Sequence, residues 1–146
     1  MKSYQHAIHG IAHALKTERN MRIHFSAVFY IIIAGLLVRL IPHEWGTIAL
    51  ACGLVIGAEL INTALERLCD GLEPGHSLVV KTVKDLAAGA VFICAIAAVC
   101  VAVFIFWWPV TEWLVFWHIY DFIREPFVWA GVGALPFWIW YIFFLK

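Results

Sequence analysis

Residues 86–108 read LAAGAVFICAIAAVCVAVFIFWW, 23 consecutive positions without a charged or amide side chain. A helix of that length is about 35 Å long and exceeds the ~30 Å hydrocarbon core of a bilayer. Three further stretches share the character. Ile23–Leu40 is the first, and Trp45–Leu65 holds one carboxylate. Phe127–Leu145 is uncharged but contains Pro136, where a kink is expected. None alternates with period two, which excludes a membrane barrel. The expected fold is therefore all-α and membrane-integral: three spans, plus a fourth in the C-terminal stretch. Charged residues make up 14% of the 146 and the mean hydropathy is +0.88, against about a quarter charged in soluble domains. Disorder is excluded by the same figures. Ten basic residues against ten acidic argue against a nucleic-acid partner. Cys52, Cys69, Cys94 and Cys100 lie in or at the end of apolar runs with no CxxC pair, and read as small apolar residues.

Basic residues set the orientation. Lys2, Lys16, Arg19 and Arg22 precede span one; Arg67, Lys81 and Lys84 follow span two, in a loop expected over 66–85; Lys146 ends the chain. With four spans these eight fall on one side and only Arg39 and Arg124 on the other. Both termini are thus expected in the cytoplasm, and the aromatic stretch 107–126 at the outer interface. Before span one, Tyr4, Ile8, Ile11 and Leu15 form an apolar stripe, the pattern of a helix lying in the headgroup layer. His6, His9 and His13 form a second stripe. No carboxylate joins it, so it reads as a solvated face rather than a metal site.

The segment AELINTALERLCD carries the chemistry. At 100° per residue, Glu59, Asn62, Glu66 and Asp70 share one narrow face of span two. Glu59 lies about 10 Å deeper than Glu66. An acid inside a span is costly and faces the bundle or a water-filled cleft. One such group ties helices together by hydrogen bonds; four on one face, ending near two lysines, point to function. Ala49, Gly53 and Gly57 lie on the opposite face, and Ala90, Cys94, Ala98 and Ala102 share their spacing in span three. Close helix packing is expected there, separate from the polar face. Glu18 precedes span one at the level of Glu66, and two carboxylates at one level can hold Mg²⁺ beside substrate phosphates. No phosphate-binding loop occurs, but phosphoryl transfer needs only a metal, a cation for the phosphates and a group that deprotonates the acceptor. Glu18 and Glu66 can serve as metal ligands, Lys84 as the cation, and Glu59 as the base at the depth of a lipid hydroxyl. Lys84 taken alone reads better as a snorkelling, positive-inside lysine.

The run ExxNTxxExxxD (Glu59, Asn62, Thr63, Glu66, Asp70), followed by KDxAAGAV from Lys84 and Asp85, resembles the small prokaryotic membrane lipid kinases, the diacylglycerol and undecaprenol kinase family. TERNMRIH at 17–24 is similar to the N-terminal motif of the undecaprenol branch. The resemblance covers about residues 8–106. It implies a lipid kinase domain over 1–106, a bacterial inner-membrane homotrimer with sites shared between subunits at the cytoplasmic face, and ATP with Mg²⁺. It assigns Glu59 as catalytic base, Glu18 and Glu66 as Mg²⁺ ligands, and Asn62, Asp70, Lys84 and Asp85 as residues that hold nucleotide or order the site. His76 lies eight residues before Lys84 where the family has seven, and takes no role. Residues 107–146 extend beyond the family pattern.

The substrate expected is undecaprenol, with diacylglycerol the alternative. Two other classes remain open at this point. One is a proton- or cation-coupled carrier built on Glu59; the other is a structural membrane subunit.

Overall fold

The computed structural model describes residues 2–72 and 77–115 and, beyond them, Gly131, Gly133 and Ala134. Four helices follow in order: α1 (Lys2–Thr17), α2 (Arg19–Leu37), α3 (Pro42–Leu72) and α4 (Leu78–Val115), with no strand among the described residues. The last three are long and apolar enough to cross a membrane. The fourth span expected over Phe127–Leu145, and His76, lie outside the described residues apart from the three named.

The helices outrun the spans. Arg67 and Asp70 continue α3, and Lys81, Lys84 and Asp85 belong to α4, so most of the loop expected over 66–85 is helical, with 73–76 outside the described residues. Hydropathy marks where lipid ends; a helix continues as long as its backbone hydrogen bonds do. Such extensions carry polar side chains on rigid backbone, where a loop would have left them adjustable.

Helix α1 is the surface helix the stripe predicts. Tyr4, Ile8 and Ile11 are exposed, and so are His6, His9 and His13, as a solvated face requires. The elbow to α2 is a single residue, Glu18, in extended backbone (φ −103°, ψ 121°).

Helix α2 closes with a Schellman motif. The Leu40 N–H reaches Gly35 O at 3.0 Å, the Arg39 N–H reaches Leu36 O at 3.3 Å, and Arg39 adopts φ 57°. Pro42 then opens α3 at its first helical position, and Glu44 Oε2 accepts the Ile41 N–H at 2.9 Å. Leu40 and Trp45 fold over Gly35, where a Cβ would stand 2.7 Å from Trp45 Cη2 and 2.9 Å from Leu40 Cδ1. Gly35→Ala is therefore expected to destabilise the α2–α3 hairpin by about 1–3 kcal/mol, the usual cost of overpacking. Thermal unfolding in detergent would register this as a lower midpoint; an unchanged midpoint would mean that the ring simply moves aside.

Helices α3 and α4 make the most extensive contact and run antiparallel. Asp70 meets Lys84 near their connection, while Val55 and Cys52 line a common groove with Ala98 and Ala102 further from it. The buried stripe of α3 is Ile48, Val55, Glu59, Asn62 and Cys69, at spacings close to the seam of a helix bundle. This corrects the division of faces inferred from sequence. The polar face is itself the packed one, whereas Gly53 and Gly57 have no neighbouring side chain within 4 Å of a built Cβ. Glycine ribbons permit close approach without compelling it. On α4, Cys94, Ala98 and Ala102 are half-buried while Ala90 is exposed.

Candidate functional site

The site gathers at the end of the bundle where α1 joins α2 and α3 approaches α4. Glu59 is 2% exposed, and neighbouring Asn62 and Thr63 are buried with it. The Asn20 side chain of α2 lies within interacting distance of the Glu59 carboxyl, and the charges of Glu66 and Glu18 both act on that carboxyl. A carboxyl buried this deeply needs partners; α2 supplies one from a residue the sequence reading had passed over. The signal for Asn20 was present in TERNMRIH, but only the antiparallel crossing of α2 on α3 reveals which of its residues reaches Glu59.

Asn62 Nδ2 donates to Glu66 Oε1 at 3.0 Å, while Asn62 Oδ1 is buried without a hydrogen-bond partner. An acceptor stranded this way normally answers to a ligand, ion or water. Glu66 is half-buried and stands one helical turn from Asn62.

Glu18 reaches the cluster through the elbow. Arg67 Nη2 donates to Glu18 Oε1 at 3.0 Å and to Thr17 Oγ1 at 2.9 Å, pinning the elbow to α3. Both side chains are solvent-accessible, so this ion pair adds little stability. Its effect is to aim Glu18.

Lys84 donates to Asp70 across the α3–α4 connection, and its ammonium also lies within electrostatic reach of Glu66. Asp85 is exposed one residue further on. The structure thus brings Glu18, Glu59, Asn62, Glu66, Asp70 and Lys84 to one end of the bundle, with Asp85 at its margin. Among the described residues no three His, Cys, Asp or Glu side chains form a ready-made metal cage.

An apolar groove of about 250 Å³ opens below this cluster. His24 and Ile31 of α2, Val55 and Cys52 of α3, and Ala98 and Ala102 of α4 are among its walls. Val55 lies one turn from Glu59, and His24 one turn from Asn20, so the groove begins directly beneath the Glu59–Asn20 pair.

Comparison with known proteins identifies the family. The family model described as Prokaryotic diacylglycerol kinase matches residues 5–106. An undecaprenol kinase of Bacillus subtilis is 39% identical over 105 residues, spanning 72% of this chain and 85% of its own. A diacylglycerol kinase of Synechocystis is 43% identical over 101 residues, spanning 68% of this chain and 57% of its own. No solved structure shows a significant match. The matched region ends within α4 and takes in each residue of the polar cluster, and so this chain belongs to the prokaryotic diacylglycerol kinase family and is a membrane lipid kinase.

Proposed function

We propose that the chain transfers the γ-phosphoryl group of Mg-ATP to the hydroxyl of a membrane lipid alcohol, undecaprenol ahead of diacylglycerol. We place the reaction at the cytoplasmic face of a bacterial inner membrane, in a homotrimer whose sites are shared between neighbours. The observation that carries this reading is the buried Glu59 carboxyl, beside Asn20, at the head of an apolar groove. A long hydrocarbon chain lying in that groove brings its terminal hydroxyl to Glu59. The greater coverage of the undecaprenol kinase relative, and TERNMRIH, favour the polyprenol.

In this reading Glu59 takes the hydroxyl proton as the lipid oxygen bonds to the γ-phosphorus, and the bond to the β-phosphate oxygen breaks to release ADP. Asn20 orients the carboxyl. Lys84, tethered by Asp70, faces the phosphates as a point charge. Asn62, Asp70 and Asp85 order the nucleotide end. The donor set suits Mg²⁺, which binds through one or two carboxylates plus phosphates rather than an all-protein cage. Glu18 and Glu66 would hold it, with the unpartnered Asn62 Oδ1 beside them. Bound there, the ion would neutralise charge developing on the phosphates.

The test offers purified protein Mg-ATP and an equal mixture of undecaprenol and diacylglycerol, with products identified by mass spectrometry. Polyprenyl phosphate as the main product is the expected result. Phosphatidic acid as the main product would keep the kinase and reverse the substrate. Folded protein that phosphorylated neither alcohol would overturn the proposal.

A further inference from the structure

The two sides of α2 are both occupied, and only one of them by α3 and α4. At 100° per residue, Asn20, His24, Val28, Ile31 and Gly35 share one face. It is the face that reaches Glu59, lines the groove and meets Trp45. Arg22, Ser26, Phe29 and Ile33 recur at spacings of four, three and four on the opposite side. That side is not lipid-facing in character. Arg22 and Ser26 are each 5% exposed. Arg22 Nη1 donates to Lys16 O at 3.3 Å and Ser26 Oγ to Arg22 O at 2.7 Å. The hydroxyl of adjacent Tyr30 is buried as well, and Arg22 and Phe29 each engage a further polar or aromatic partner. Helix α1 reaches this side at Arg22, through Lys16 O.

What meets the far part of this face is Gly131. It is helical and buried, and a Cβ built on it would stand 3.0 Å from Ile33 Cδ1 and 3.8 Å from Ile33 Cγ2. Helices in lipid approach this closely where one of them lacks a side chain. Gly131 lies well past residue 106, where the family match ends.

We propose that the C-terminal extension docks, at Gly131, on the α2 face formed by Ser26, Phe29 and Ile33 of its own chain. The extension is an intramolecular brace. It clamps α2 from the side opposite α3 and so holds Asn20 against Glu59. The occupant is this chain's own segment because Gly131 already sits on Ile33; a neighbouring copy is the competing occupant.

Cross-linking separates the two. In full-length protein with Cys52, Cys69, Cys94 and Cys100 replaced by Ala, Ile33→Cys and Gly131→Cys are combined in one chain and treated with a short thiol-specific bifunctional reagent. The expected product is an internally linked monomer on a denaturing gel. Co-expressed single variants are expected to give no linked dimer. A linked dimer, or no link in either case, would overturn the proposal. Shape supplies a second readout. Gly131→Leu is expected to lower kcat about tenfold with the KM for ATP unchanged, and adding Ile33→Ala to restore it. Loss of kcat that Ile33→Ala failed to rescue would count against the contact.

Discussion

Glu59→Gln is expected to reduce lipid phosphorylation by about 10²–10⁴-fold, or roughly 3–5.5 kcal/mol of transition-state stabilisation. The amide matches the carboxyl in size and can still bond to Asn20, so the bundle should keep its packing. What it loses is the ability to take a proton. Nucleotide should therefore bind as before, because Lys84 and Asp70 at the other end of the cluster are untouched. The measurements are a single-turnover assay with saturating lipid and a parallel nucleotide titration. A rate within threefold of the parent would remove Glu59 from the base role. Loss of nucleotide binding together with rate would mean that the face had collapsed, and Asn20→Ala, which leaves the carboxylate intact, would then separate orientation from proton transfer.

The second large effect concerns Glu66 and Glu18. Glu66→Gln is expected to raise the Mg²⁺ concentration needed for half-maximal rate by about 10–100-fold, the usual scale for disturbing a metal's immediate surroundings. Glu18→Gln should move it in the same direction. The two variants differ in their side effects. Glu66 holds Asn62 Nδ2, so its amide also disturbs Asn62. Glu18 holds Arg67, so its amide frees the elbow. At saturating Mg²⁺ the Glu66 variant should recover most of its rate, and the Glu18 variant less. A metal titration that moved for neither variant would take both residues out of the metal role.

Much of this site was legible in the sequence because a helix converts spacing into direction. Glu59, Asn62, Glu66 and Asp70 lie on one helix, and 100° per residue brings them to one face. The lipid kinase class followed from that face together with its motifs, and the family match leaves the carrier and structural-subunit readings without support. Contacts between helices were less accessible. Asn20 could not be distinguished from Arg19 or Met21 without knowing the crossing of α2 on α3. The ribbon of Ala49, Gly53 and Gly57 misled because small residues record where helices can approach, and the approach happened on the other face. The loop over 66–85 was misjudged for a different reason: hydropathy reports solvent, and α3 and α4 continue into it.

The elbow at Glu18 has a consequence for when the site exists at all. One extended residue separates α1 from α2, so Glu18 takes its direction from the angle between these helices and from Arg67 of α3, which holds its carboxylate. Glu59 and Asn62 are fixed within α3 whatever α1 does. The proposed metal end of the site therefore depends on α1 and on the Arg67 contact, while the proposed base does not. Protein in a micelle that lets α1 lift away should keep Glu59 buried while the Glu18–Arg67 pair loosens, and on the proposed mechanism its Mg²⁺ requirement should then rise.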